Sequence, residues 1–295
     1  MKFSKISLIE CYLRIKSSIV MLKTKLTYLI LSCDKFSDLW DGNINLFHQN
    51  WPDGDFDVFL VTDKETDRVL PGVNIISAGD DMEWSDRLKF AMNYVKTQYV
   101  FVTLDDYFLI KKVNNDHIKY LVNLMEKNAC DYIRLFKNPT KATGDKVAGE
   151  YGLYNIKSEV NYSVNLYPGI WSKTFFEFCL KDSRTAWMFE VTLHECAIEY
   201  GANCIVSYNE EYTILDVVRK GRLLRNAVRY FKTHPGIYVG SREVQSLSFE
   251  LKLFIKTFIQ EHIPAFLFKI VRFIYVKCGG QSFTYQRETE KKCAE

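Results

Sequence analysis

Three common kinds of site are missing from this sequence. No CxxC pair occurs among the eight cysteines (11, 33, 130, 179, 196, 204, 278 and 293), which argues against a zinc ribbon or a thioredoxin-like motif and leaves reduced thiols in a cytosolic protein as the simple reading. His194-Glu195 does not extend to a zinc-protease HExxH, because position 198 is Ile198. Neither sign of charge dominates. Lys plus Arg number 39 against 36 for Asp plus Glu, a net +3, which is too balanced for a protein that neutralises many phosphates, so no nucleic-acid partner is expected.

Long uninterrupted apolar runs are missing too. The stretch 6–22 is broken by Glu10, Arg14 and Lys16, so it is neither a clean signal peptide nor a spanning helix, and residues 1–25 read as a basic leader. The stretch 251–277 carries Lys256, Lys269 and Arg272 among its Phe, Ile and Leu residues, which makes a full span improbable. It reads either as a basic amphipathic helix pair, broken near Pro264, lying on an anionic membrane surface, or as helices covering the protein's own core. Residues 281–295 are polar and read as a loose tail. There are no repeats and no low-complexity tract. What is present is core material. The 295 residues are 47% hydrophobic and 15% aromatic, enough for one large domain, with or without an appendage.

From residue 26 to 136, apolar runs alternate with helical periodicity, the pattern of an α/β fold with a mainly parallel sheet flanked by helices. Strands are expected at 26–32, 56–62, 73–77, 99–104 and 131–136. Trp84, Leu88, Ala91 and Val95 fall on one face of a helix, and a further helix covers 116–127. Residues 137–168 lack periodicity and read as loops and short strands around a cleft. Beyond them, helices are expected at 171–180, 188–200 and 221–231, and strands at 204–208 and 213–217.

Ligands of open α/β sheets bind at the carboxyl ends of the strands, where loops diverge and helix N-termini point inward. Acids fall at these ends: Ser32-Cys33-Asp34, then Thr62-Asp63, then Asp105-Asp106 after the apolar run YVFVTL, with Asp80-Asp81 and Arg87 on the same rim. Two adjacent carboxylates there suit Mg²⁺ or Mn²⁺, a hard cation that leaves coordination positions for substrate phosphates. The alternative is plainer: Asp105 caps the next turn and Asp106 is solvated.

The segments YLILSCDKFSDLW (28–40), FLVTD (59–63), EWSDRLKFAMNYVKTQYVFVTLDDYFL (83–109), PGIWSKTFFEFCL (168–180), WMFE (187–190) and VVRKGRLLRNA (217–227) together resemble GT-A-fold glycosyltransferases of the bacterial lipopolysaccharide and capsule type. The resemblance implies a nucleotide-sugar-binding half at 26–136 and an acceptor-binding half at 137–240, and the residue pattern beyond them reads as amphipathic membrane-surface helices at 241–280. The resemblance also implies donor contacts from Ser32, Asp34, Asp63, Arg87 and Asp105, to which the rim position adds Asp80, metal ligation by Asp106 with Asp105, and a catalytic place for Asp105 toward the donor sugar. The motif here is Leu-Asp-Asp-Tyr, not the Asp-x-Asp of many relatives, so whether the divalent cation is essential stays open. Glu190 matches the place of a catalytic base, which takes a proton from the acceptor hydroxyl; capping or acceptor binding are its alternatives. Trp171 and Trp187 could stack on acceptor sugars, though large aromatics are more often core. Lys220 and Arg222, in a basic stretch with Arg219, Arg225 and Arg229, could neutralise a leaving diphosphate or face lipid phosphate. A solvated face is the default for such a stretch.

The activity implied is transfer of a sugar from a nucleotide donor to a glycan acceptor, lipid-linked, at the cytoplasmic face of the cell membrane. Two alternatives remain. A nucleotidyltransferase reads a nucleotide over a similar sheet, but no Gly-rich phosphate loop follows the first strand. A membrane-surface scaffold on a degenerate transferase fold needs no chemistry.

Overall fold

The computed structural model describes residues 22–262 and, beyond them, residues 270, 273–274 and 276–277. The leader up to residue 21, the break near Pro264 and the tail 281–295 lie outside the described residues.

A helical turn, Leu22–Lys25, leads into β1 (Leu26–Leu31). Then follow α1 (Trp40–Asn50), β2 (Asp57–Thr62), β3 (Asn74–Ser77), α2 (Trp84–Ala91), β4 (Tyr99–Leu104), the short β5 (Tyr107–Leu109), α3 (Asn115–Lys127) and β6 (Tyr132–Arg134). The second half adds β7 (Thr143–Lys146), β8 (Leu153–Ile156), β9 (Gly169–Ser172), α4 (Lys173–Cys179), α5 (Ala186–Tyr200), β10 (Cys204–Ser207), β11 (Ile214–Asp216), the hairpin β12 (Val218–Arg219) with β13 (Arg222–Leu223), α6 (Arg225–Thr233) and α7 (Leu247–His262).

One nine-stranded sheet, in the order β3-β2-β1-β4-β9-β6-β10-β8-β7, runs through both halves. Strands β3, β2, β1 and β4 are mutually parallel, and β6 and β10 run with them. Strand β9 is antiparallel to both β4 and β6, so it joins the halves by lying between them. The fold is therefore α/β, with a mainly one-directional sheet flanked by helices.

Period-two alternation distributes each central strand between two cores. Tyr28, Ile30 and Phe101 face one layer with Trp40, Phe47, Trp51 and Leu121. Leu29, Leu31, Val100 and Val102 face the other, with Trp171, Phe175, Phe176, Phe189 and Leu193. Burial on both faces is why β1 and β4 read as unbroken apolar runs. The nearly irregular 137–168 segment is tied down by buried Arg134, whose guanidinium donates to the carbonyls of Ser163 (2.7 Å), Lys137 (3.2 Å) and Pro139 (3.3 Å).

Three sequence expectations are corrected. The helix expected at 171–180 begins at Lys173, because Gly169–Ser172 is strand; the Ser172 side chain caps that helix by accepting from the Phe175 N–H. The basic helix expected at 221–231 begins at Arg225, since Lys220 and Gly221, with φ of +51° and +76°, turn the β12–β13 hairpin. Helix α2 ends at Ala91, and Val95 reaches the core from a turn beyond it.

Candidate active site

The carboxyl ends of β1, β2 and β4 lie side by side because these strands are adjacent and parallel. At the outer part of this rim the Asp34 N–H donates to Asp63 (2.6 Å), Arg87 from α2 reaches the other Asp63 oxygen at 3.5 Å, and Lys64 stands 3.7 Å from Asp34. Although partial burial opposes charge on Asp63, the Asp34 and Asp63 N–H groups and Arg87 together hold its carboxyl below the usual carboxylate range.

At the centre the balance reverses. Asp105 is buried; it accepts from the Ser32 hydroxyl, which itself accepts from the Trp40 indole N–H at 2.7 Å. The Asn43 amide donates to the Asp105 carbonyl (3.0 Å) and the Tyr107 carbonyl (3.2 Å), fixing the turn between β4 and β5. Burial pushes the Asp105 carboxyl from 3.8 to about 7 against the pull of Ser32 and Arg242. Asp106 is pushed well up, first by burial and then by the charges of Asp105 and Asp216, with Arg219 opposing. Its Oδ1 is buried and accepts no hydrogen bond.

The second half of the chain supplies the other wall. Strand β11 pairs antiparallel with β5, setting Asp216 opposite Tyr107, and the Val217 N–H donates to the Asp106 carbonyl at 2.9 Å. Arg219 closes on Asp216 with Nε at 2.8 Å and Nη2 at 2.7 Å from the same oxygen, leaving the other Asp216 oxygen buried and without a hydrogen bond. Burial raises the Asp216 and Glu190 carboxyls, and Arg219 pulls both back down. Glu190 lies one turn inside α5, whose N-cap is Thr185, so it does not cap the helix. Tyr107 and Tyr167 stack beside the cluster with ring centres 5.4 Å apart. Asp106, Asp216 and Glu190 thus share the guanidinium of Arg219, while Asp105 beside them feels that of Arg242.

Other predicted residues fall elsewhere. Trp171 is 0% exposed, packed against Tyr132, Phe175 and Phe176, so its ring offers no face to a sugar; β9 runs through the middle of the sheet and carries it into the core. Trp187 is 58% exposed and shares a cavity with Asp80 and Arg87. Lys220 sits over the Phe249 ring and Arg222 pairs with Glu243 at 2.8 Å, so it is Arg219 of the same hairpin that enters the carboxylate cluster. Sequence reasoning missed Asp216, the Arg219 role and Arg242. The last pairs with Asp38 at 2.6 Å and donates to the Lys35 carbonyl at 2.7 Å, strapping the 240s segment over the turn that follows β1. For Asp216 and Arg219 the available signal is an acid and a base three residues apart directly after a strand run.

Among the described residues, no group of three or more His, Cys, Asp or Glu is arranged to hold a metal ion. The adjacent Asp105-Asp106 pair with an orphaned buried oxygen does fit the more usual Mg²⁺ or Mn²⁺ arrangement, in which one or two carboxylates share the ion with substrate phosphates.

No protein-family model matches the chain, and no curated protein matches it significantly. Similar solved structures include S. aureus TarS, with a TM-score of 0.40 and 11% identity over 64% of this chain, which spans only 36% of that one. The mannosyltransferase PcManGT from Pyrobaculum calidifontis, in complex with GDP-Man and Mn²⁺, has a TM-score of 0.47 and 12% identity over 97% of this chain and 87% of its own. A UDP-glucose pyrophosphorylase complexed with UDP-glucose has a TM-score of 0.39 and 12% identity over 65% of this chain and 92% of its own.

Proposed function

We propose that this chain is a glycosyltransferase that moves a sugar from a nucleotide-sugar donor to a surface-polysaccharide acceptor carried on a lipid. The observation that carries the reading is the Asp105-Asp106 pair, with Asp105 buried and Asp106 half-buried but for its closed-off Oδ1, set between a hydrogen-bonded rim on one side and Glu190, Asp216 and Arg219 on the other. The rim of Ser32, Asp34, Asp63 and Arg87 offers fixed acceptors and a guanidinium, the groups a nucleoside diphosphate requires. A divalent cation held by Asp106, with Asp105, would neutralise charge on the diphosphate as it departs. Arg219 adds fixed positive charge beside the same acids. Glu190, with its carboxyl raised by burial, is a stronger base than a solvated carboxylate and is suited to accept a proton from an acceptor hydroxyl.

The membrane part of the proposal rests on α7. Leu247, Leu251, Phe254, Ile255 and Phe258 follow helical spacing on one face and are all exposed, as are Ile270, Phe273 and Ile274 beyond it, while Lys252 and Lys256 flank the stripe. No helix among the described residues is long and apolar enough to cross a membrane, so the fitting mode is surface attachment to anionic lipid on the cytoplasmic side.

Thermal denaturation with a panel of nucleoside diphosphates and nucleotide sugars, with Mn²⁺ or Mg²⁺ and again with EDTA, tests the donor. A base-selective rise in Tm that Asp106→Asn reduces supports transfer. A rise that survives EDTA keeps the transferase and removes the cation. The absence of any rise in a folded sample favours a scaffold. Co-sedimentation with phosphatidylglycerol vesicles, lost in Phe254→Ser/Phe258→Ser, tests the membrane face.

A further inference from the structure

Resting on the transferase reading, we propose that the cavity between the 79–83 loop after β3 and the first turn of α5 is the acceptor-sugar subsite, and that it selects a neutral or amino-bearing hexopyranose over an acidic one. The cavity measures about 420 Å³, room for a sugar ring, and is lined by Asp80, Asp81, Glu83, Arg87, Thr185 and Trp187 among others. Trp187 is exposed here in spite of its size, and its flat apolar face is the surface on which the C–H face of a pyranose packs. It precedes Glu190 by three residues on α5, so the two project from the same side of that helix.

The charge in the cavity sets the selectivity. Asp80, Asp81 and Glu83 are exposed carboxylates that no ion pair holds among the described residues. Arg87 is the cation on this wall, and its charge is already directed to Asp63 at 3.5 Å. Its Nε and Nη1 are closed off from solvent and Nη1 is the atom that faces Asp63, so the open wall of the cavity is formed by the carboxylates. A neutral sugar fits this wall, because its hydroxyls donate to the carboxylates. An ammonium group on the ring gains further from the carboxylates and from the indole face. A uronate or a phosphorylated sugar meets three like charges at close range.

Saturation-transfer NMR on the full chain with methyl glucoside, methyl glucosaminide and methyl glucuronide tests the proposal, alongside the nucleotide melting panel. The first two glycosides should bind, and the glucuronide should bind weaker by about tenfold, the scale of one screened charge repulsion. Trp187→Ala should abolish binding and Trp187→Phe should retain it. Asp81→Asn/Glu83→Gln should bring glucuronide binding up to that of glucoside. Equal binding of glucuronide and glucoside by the native chain, no binding of any of the three, or unchanged binding by Trp187→Ala would overturn the inference. If nucleotides raise Tm while the sugar preference fails, the inference falls alone. If the preference holds while no nucleotide binds, the subsite stands and the transferase reading falls.

Discussion

Asp63 and Asp106 each end a parallel strand of the same sheet, yet their surroundings drive their carboxyls in opposite directions. Asp63, on the outer rim, receives the Asp34 N–H and faces Arg87, and its carboxyl is held low. Asp106, at the centre, lies beside Asp105 and Asp216 with a buried oxygen that nothing bonds, and its carboxyl is raised. Position relative to the second half of the chain makes the difference. The rim is completed by local backbone and one guanidinium, so it is preorganised in its ionised form. The centre gathers acids from β4, β11 and α5 around Arg219 and is left short of positive charge. A site of the first kind holds a ligand by fixed hydrogen bonds; one of the second kind waits for a proton or a cation.

Substitutions sharpen this contrast. Asp106→Asn is expected to lower transfer by about 10²–10³-fold, the scale of losing one preorganised electrostatic contact in a closed site. The same change should raise the ligand-free Tm at pH 7–8, at roughly 2–4 °C per kcal/mol, because it removes charge that folding buries. Turnover and calorimetry on one preparation check both; a fall in Tm would mean that the central acids are compensated after all. Glu190→Gln should reduce kcat by about 10²-fold or more while the nucleotide-induced shift in Tm is retained. An equal loss of nucleotide binding would remove Glu190 from the base role.

Acidification gives the next largest effect. Asp105 rises from 3.8 to about 7 on folding, so between those values the folded chain holds a proton that the unfolded chain lacks. Stability of the ligand-free protein should therefore increase as pH falls from about 7 toward 4, the reverse of a salt-bridged carboxylate. Arg219→Ala should deepen this dependence and destabilise more at pH 8 than at pH 5, by about 1–3 kcal/mol at the higher pH, since it strips the central acids of their cation. Denaturant melts of the two proteins across pH measure both. The smallest effect belongs to the rim. Asp63→Asn should cost at most about 1 kcal/mol, because that carboxylate is partly open to solvent. Its contribution, being that of a lowered carboxyl, should be present at neutral pH and vanish as pH falls through its depressed value.

Much of the sheet could be read in advance. LTYLIL and YVFVTL are buried on both faces, and such strands advertise themselves as continuous apolar runs ending in polar residues. That placed Ser32, Asp34, Asp63, Asp105 and Asp106 at strand ends before any coordinates. The four-residue strand Gly169–Ser172 could not be separated from the helix that follows it, because GIWSKTFF is apolar at either period. Of the two readings open for Trp171, sugar stacking and core, the strand settles on core.

Which strands are central, and therefore where acids end them, is written locally in the chain, since burial on both faces leaves a mark in every residue of a strand. Long-range pairing alone inserts β9 between β4 and β6, taking Trp171 into the core, and sets β11 against β5, bringing Asp216 and Arg219 to Asp106 from more than a hundred residues away in the chain. Strand pairing is made by backbone hydrogen bonds that every residue type can form, so the partner of a short strand is not written in its own side chains.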